Sequence, residues 1–133
     1  MKKLLTLTLI ISILFSLCSC GKYTSSYRAI GLVRTQSSHS CETSFYSLTG
    51  RLVFKLKGSN AGKEGDISYS IRVDRGELYL YYDIYGTKEE LAHVSAGEEL
   101  EGRGGYIEGG RAVYIIIETA DGTGGRVSAE LDS

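Results

Sequence analysis

Apolar and polar residues alternate along most of the chain from residue 27 onward, which is the period of half-buried β-strands. The alternation is clearest in Ile67–Asp74 and Glu77–Tyr85, where apolar residues occupy every second position. No stretch of the sequence of helical length shows apolar residues with a convincing 3.6-residue period. The pattern therefore predicts an all-β domain.

Glycines separate the alternating segments, and the chain has 17 Gly and 0 Pro with which to make its turns. Asp74-Arg75-Gly76 predicts a hairpin, because glycine accepts the positive φ of a tight turn. Gly50 predicts a bulge or bend within a strand, and the stretch 121–125 (DGTGG) predicts a turn before the last strand. About seven strands without helices are typical of an antiparallel β-sandwich, of which the jelly roll is one form. The eight candidate segments, of which Leu91–Val94 and Glu98–Gly102 are short, lie at about Tyr27–Gln36, Thr43–Lys57, Ile67–Asp74, Glu77–Tyr85, Leu91–Val94, Glu98–Gly102, Ala112–Ile117 and around Val127–Leu131.

The residue types also predict which side chains are buried. Ala112–Ile117 is apolar on both faces of a strand, which favours a central strand that is covered on both sides or one near a sheet junction. Cys41 is expected to be a buried or half-buried thiol within a strand. On the strand Thr43–Lys57 we expect one inward face, formed by Tyr46, Leu48, Leu52, Phe54 and Leu56.

The first 20 residues have a different pattern from the rest of the chain. Two lysines precede an apolar run from Leu4 to Leu17, and small residues lead to Cys20. As a helix this run would be about 21 Å long, too short for the roughly 30 Å of bilayer hydrocarbon. It is typical of the apolar region of a signal peptide, so the chain after Cys20 is expected to be exported.

This segment resembles the bacterial lipoprotein signal peptide, whose lipobox is matched by Leu17-Cys18-Ser19-Cys20. The resemblance implies that Cys20 carries a thioether-linked diacylglycerol and that cleavage occurs before it. Residues 1–19 would be the signal helix, 20–26 the lipidated cysteine with a short tether, and 27–133 the β-sandwich domain. The domain would then lie on the exported face of the cell membrane, or on an outer membrane in a cell that has two. The domain itself is similar only to small β-sandwich modules of exported bacterial proteins in general.

Charge and cysteine content narrow the functional classes. A net charge of −1 and a pI near 6.1 argue against a nucleic-acid partner. After processing, Cys41 is the only unmodified cysteine, which excludes an intramolecular disulfide. The core and the sheet hydrogen bonds must therefore stabilise the domain.

The sequence offers little for catalysis or metal binding. His39 and His93 are the only histidines, and neither lies in a recognised catalytic or zinc motif, so no catalytic residue, metal ligand or cofactor is expected. A hydrolase site assembled in space from distant residues stays open as an alternative. Exposed carboxylates could also bind calcium with low affinity, although no calcium-loop motif is present. These acidic residues are Glu89, Glu90, Glu98, Glu99, Glu101 and Asp121.

One strand carries a candidate binding surface. Tyr79, Tyr81, Asp83 and Tyr85 alternate along Glu77–Tyr85 and would share one face, at about 6.6–6.8 Å spacing. An exposed row could stack on sugar rings or contact a protein, whereas a covered row would be ordinary packing. We thus expect a lipid-anchored, non-catalytic binding or structural module. Its partners would be the membrane, through the lipid, and a glycan or a cell-envelope protein.

Overall fold

A computed structural model describes residues 23–58 and 62–132, and within them the all-β prediction is confirmed. No helix in these ranges is long and apolar enough to cross a membrane. Cys20 and the signal segment lie outside the described residues. The strands are β1 (Ser26–Ile30), β2 (Val33–Gln36), β3 (Ser40–Lys57), β4 (Glu64–Arg75), β5 (Glu77–Asp83), β6 (Glu89–Ser95), β7 (Glu99–Glu108) and β8 (Ala112–Asp132).

The strands form an antiparallel β-sandwich of two layers. The two longest strands, β3 and β8, contribute to both layers. The first half of β3 and the second half of β8 pair in one layer, and their remaining halves pair in the other. β1 and β2 follow one another along the outer side of β3, while β4 and β5 follow one another along β8. In the same way β6 pairs with β5, and β7 pairs with β4. Sheet I is therefore β1–β3–β8–β5–β6, and sheet II is β2–β3–β8–β4–β7.

Glycines mark the line where the chain passes between the layers. Gly76 lies between β4 and β5 with a φ of 83°, and a Cβ there would come within 2.3 Å of the Thr123 hydroxyl. Only glycine fits both the backbone angle and the close approach. Glycines with positive φ also mark this passage within β3 and β8, at Gly50 and Gly122. Two more lie between consecutive strands, Gly31 between β1 and β2 and Gly97 between β6 and β7.

The core lies between the two sheets and is continuous. Alternate residues of both halves of β3 and β8 point into it, so the same two strands supply apolar side chains to each layer. Ile116 points away from this core and is nevertheless fully buried, which confirms the expectation that its strand is covered on both sides. Cys41 is buried, as predicted, and its thiol is free. The largest fully buried side chains are Phe54, Leu48, Leu52, Leu56, Ile67, Ile71, Leu78, Leu80, Ile107, Ile115, Ile116 and Ile117.

Four local predictions were wrong. The segment Asp74-Arg75-Gly76 is not a hairpin, because β4 and β5 pair one after the other along β8 and not with each other. The stretch 121–125 is not a turn but a bend within the 21-residue β8. The predicted strand Tyr27–Gln36 is two strands, which are separated at Gly31.

The fourth correction concerns the inward face of β3. Tyr46 is 65% exposed, and Phe45 is buried in its place. The pairing of β3 with β8 shifts register between Phe45 and Leu48 and again between Leu48 and Gly50. The first shift sets three steps of β3 against two of β8, and this one extra residue moves the later side chains of β3 to the opposite face. The second shift confirms an irregularity at Gly50, where a bulge or bend is predicted.

Candidate functional site

The predicted tyrosine row lies on the outer surface of sheet I, which we call the aromatic face. Tyr79 and Tyr81 are half-buried, and their rings stack with centroids 6.1 Å apart and planes 10° from parallel. The Tyr79 ring also stacks on that of His93, with centroids 4.1 Å apart and planes 5° from parallel. The ammonium of Lys88 lies 4.4 Å from the centre of the Tyr81 ring. Both tyrosine rings therefore have neighbouring side chains of this protein against their faces.

Ion pairs hold the side chains around these rings in place. The His93 Nε2 and Glu77 Oε1 atoms are 2.6 Å apart. Glu118 accepts hydrogen bonds from Arg51 at 2.8 Å and from Lys88 at 3.1 Å. Partial burial alone would raise the pKa of Glu118, but the hydrogen bonds and charges of Arg51 and Lys88 outweigh burial and lower it. The aromatic face is thus a set of mutually paired groups.

The structure does not bring the four predicted ligand-binding residues together as one exposed row. Asp83 is only 2% exposed and accepts hydrogen bonds from the Tyr23 hydroxyl at 2.5 Å and from the Gly86 N–H at 2.6 Å. Tyr85 lies beyond the end of β5, where the Arg111 guanidinium covers its ring at 4.7 Å. Tyr79 and Tyr81 therefore remain as a pair.

Tyr23 closes one side of the aromatic face. Its ring meets that of Tyr114 edge to face at 5.3 Å, and the neighbouring Ser25 hydroxyl accepts a hydrogen bond from the Val53 N–H at 2.9 Å. Burial and the hydrogen bond to Asp83 raise the pKa of Tyr23 to about 12. The first described residues are thus fastened to sheet I by three separate contacts.

The outer surface of sheet II has a different construction and contains a hollow with a volume of about 710 Å³. We call it the polar trough. One row of side chains crosses all five strands in register, and small hydroxyl residues occupy its middle. Strand spacing makes this row about 19 Å long. In strand order the row is Thr35, Glu42, Ser128, Ser70 and Glu101.

A row on each side of this central row completes the trough, and both rows mix acidic and basic groups. One row is Ser40, Glu130, Ser68 and Arg103, and the other is Val33, Ser44, Arg126, Arg72 and Glu99. The second row lines a further hollow of about 260 Å³, which shares Glu42, Ser70 and Ser128 with the first. The two hollows therefore form one continuous surface.

Most guanidinium groups in the trough are already paired with carboxylates. Arg126 forms an ion pair with Glu42. Arg103 lies 3.3 Å from Asp132 and 3.6 Å from Asp66. Glu101, in contrast, forms no ion pair with any residue that the structure describes. The trough thus offers paired charges at its sides and hydroxyl groups along its floor.

The remaining candidates for chemistry are isolated from one another. His39 contacts the hydroxyl of the adjacent Ser38 at 3.3 Å on an exposed turn. His93 is stacked on Tyr79 and bonded to a carboxylate. Burial raises the pKa of the Cys41 thiol to about 12, so this group is not an activated nucleophile. In the parts of the chain that the structure describes, no group of three or more His, Cys, Asp and Glu is arranged to hold a metal ion.

The sequence contained part of the signal for the trough. Ser68, Ser70 and Arg72 alternate with buried apolar residues on β4, which already predicts that they face solvent. Their alignment with Glu130, Ser128 and Arg126, respectively, depends on β8 lying next to β4. Single-strand alternation gives no information about that neighbour.

No protein-family model matches the sequence, and no curated protein is similar to it in sequence. Solved β structures show distant similarity. The enzymatically active domain of bacteriophage CBA120 tailspike protein 4 is 10% identical, with a TM-score of 0.44 over 80% of this chain and 19% of that chain. This chain therefore spans about a fifth of the tailspike domain's length.

Two carbohydrate-binding modules are similar at the same low level. A family 29 module complexed with mannohexaose is 12% identical, with a TM-score of 0.39 over 80% of this chain and 77% of that chain. The module TmCBM61, complexed with β-1,4-galactotriose, is 14% identical, with a TM-score of 0.39 over 74% of this chain and 66% of that chain. Similarity at this level carries no information about ligand or activity.

Proposed function

We propose that this protein is an exported lipoprotein whose β-sandwich is a non-catalytic binding module held close to a membrane through Cys20. The lipobox Leu17-Cys18-Ser19-Cys20 supports the anchor. The acyl chains of a diacylglycerol-modified cysteine give stable attachment, because two chains bury more CH₂ groups than the single chain of a marginal anchor.

The attachment of Tyr23 to sheet I is the observation that carries the proposal further than the lipobox does, because it bears on how the domain lies at the membrane. Cys20 precedes Tyr23 by three residues, and three extended residues span at most about 10 Å. Because Tyr23 is bonded to Asp83 and packed on Tyr114, an anchor at Cys20 keeps the aromatic face near the bilayer. The exposed Lys55 on the same face would then meet the negative charge of anionic lipids.

The non-catalytic role is supported by the arrangement of the reactive groups. Among the described residues, His39 and His93 lie apart from any carboxylate–histidine–nucleophile arrangement. A binding role is supported instead by the polar trough, which lies on the sheet opposite the tether.

Metabolic labelling with a fatty-acid analogue tests the anchor. We expect the full-length protein and Cys18→Ala to be labelled and to sediment with membranes, and Cys20→Ala to be unlabelled. Labelling that persists in Cys20→Ala would show that the lipid is attached elsewhere. In the labelled protein, a nitroxide-lipid quencher should reduce the fluorescence of a dye at Lys55→Cys more than that of one at Glu101→Cys. Equal quenching would contradict the proposed orientation.

A further inference from the structure

The polar trough is open because its central residues are small. Ser70 and Ser128 lie opposite each other on β4 and β8, at the middle of the row that crosses sheet II. Glu42 on β3 and Glu101 on β7 flank this pair directly, one on each side. The resulting hollow of about 710 Å³ lies within the range of roughly 300–1,000 Å³ that is usual for ligand sites.

The lining contains hydrogen-bond donors and acceptors in close alternation. Arg126 is paired with Glu42, and Arg103 is paired with carboxylates at the other side of the trough. The serine hydroxyls between them can both donate and accept. A ligand that fits this lining must itself donate and accept at short intervals along its length.

We propose that the polar trough binds an extended, polyhydroxylated ligand, namely a segment of a glycan chain. Each sugar hydroxyl donates to a carboxylate such as Glu101 and accepts from a guanidinium such as Arg126. Neighbouring hydroxyls match the two-point geometry of both groups. The assignment rests on the proposed role as a binding module, but it does not depend on the lipid anchor.

The charge pattern argues against ligands of a single sign. A polycation would meet Arg72, Arg103 and Arg126, while a polyanion would meet Glu42, Glu99, Glu101 and Glu130. A neutral ligand with hydroxyl groups satisfies both sets without leaving a charge unpaired. The aromatic face also carries paired charges, but tyrosine and histidine rings occupy the positions between them.

Affinity electrophoresis of the full-length protein in detergent tests the assignment, with gels containing the neutral polysaccharides β-glucan, mannan or galactan and with heparin and poly-lysine as charged probes. We expect at least one neutral polysaccharide to retard the protein. Ser70→Trp fills the floor of the trough and should weaken that binding more than tenfold. Glu101→Ala, at an exposed edge position, should weaken it about tenfold without affecting the fold. Arg28→Trp is the matched control, because it adds the same ring to exposed β1 of sheet I.

The outcomes separate the trough from the alternatives. Loss of binding in Ser70→Trp and Glu101→Ala, with Arg28→Trp unchanged, supports the trough. Binding that is lost only in Tyr79→Ala or Tyr81→Ala would place the glycan on the aromatic face and overturn the assignment. Retardation by poly-lysine or heparin alone would identify a charge-binding surface. If no probe binds while Cys20 labelling succeeds, the glycan proposal fails and the lipoprotein proposal stands.

Discussion

The outer faces of sheet I and sheet II are built on the same two long strands, yet one is closed and the other is open. In sheet I the cross-strand row through Arg51, Glu118, Tyr79 and His93 consists of large side chains that pair with one another. In the central row of sheet II the equivalent middle positions are Ser128 and Ser70. Small side chains between longer ones leave a trough, whereas large side chains fill the space.

The two faces also differ in how they are connected to the N-terminal segment. Tyr23 is bonded to Asp83 on sheet I, so the chain leading back to Cys20 begins beside the aromatic face. The polar trough lies on the opposite layer. The proposed lipid anchor and the proposed glycan site would therefore lie on opposite faces of the sandwich.

The largest expected effect concerns the close approach of β4 to β8 beneath the trough. A Cβ at Gly125 would lie 2.2 Å from the Arg72 carbonyl oxygen, so Gly125→Val must push the two strands apart. We expect the free energy of unfolding in urea to fall by about 3 kcal/mol, as for a severe overpacking change.

Gly104→Ala on β7 is the control for this substitution. Its Cβ would meet only the flexible end of Leu91, at 3.6 Å. We expect a change within about 0.5 kcal/mol. Equal destabilisation by both variants would contradict the idea that β4 and β8 are specially close.

A smaller loss of unfolding free energy is expected from a substitution beside the aromatic face of sheet I. Tyr23→Phe removes the hydroxyl that donates to Asp83, and we expect a loss of about 1–2 kcal/mol of unfolding free energy. Amide exchange gives a local measurement, because the Val53 N–H is bonded to Ser25 and should exchange faster if the N-terminal segment detaches.

Tyr27→Phe is the matched control, since Tyr27 is 39% exposed on β1. It should leave both the unfolding free energy and Val53 exchange unchanged. If Tyr23→Phe also speeds amide exchange across β4 and β8, the N-terminal segment stabilises the whole sandwich and not only sheet I.

The smallest effect is the acid sensitivity of the aromatic face. The pKa of Glu118 is lowered from its ordinary value of 4.5, because the hydrogen bonds of Arg51 and Lys88 outweigh partial burial. A lowered pKa in the folded state contributes stability above pH 4.5 and loses it as pH falls through the folded value. We expect Glu118→Gln to remove less than about 1 kcal/mol at pH 7, since the pairs are partly exposed.

Urea denaturation at pH 7 and at pH 3 measures this contribution. The difference between the wild type and Glu118→Gln should shrink at the lower pH. Glu90→Gln is the control, because Glu90 is exposed on β6. A difference that grows on acidification would show that burial, and not the ion pairs, dominates at Glu118.

Much of the strand content was predictable because alternation reports burial directly. Leu78 and Leu80 are buried, as their alternation with the tyrosines indicated. Ile116 is buried as well, as expected for a segment that is apolar on both faces of the strand. The predictions failed where a glycine could mark either a hairpin within one sheet or a passage of the chain from one layer to the other. Gly76 has the predicted positive φ, but β4 continues into the other layer instead of folding back on itself.

The candidate site was predictable only in part, for the same reason. Tyr79 and Tyr81 lie on one outward face as their spacing indicated. The covering of Asp83 by Tyr23 was not predictable, because the two residues are 60 positions apart in the sequence. The trough likewise combines Glu42, Ser128 and Ser70 from three distant strands.

The sequence by itself determined the all-β character, the free buried thiol and the inward faces of most strands, because these depend on local alternation and residue type. The tertiary structure alone decided which strands are neighbours and where an extra residue changes the parity of β3. Those long-range pairings determine which side chains meet across each outer face. They therefore decided that the tyrosines pack against their own neighbours and that two serines form the floor of the open surface.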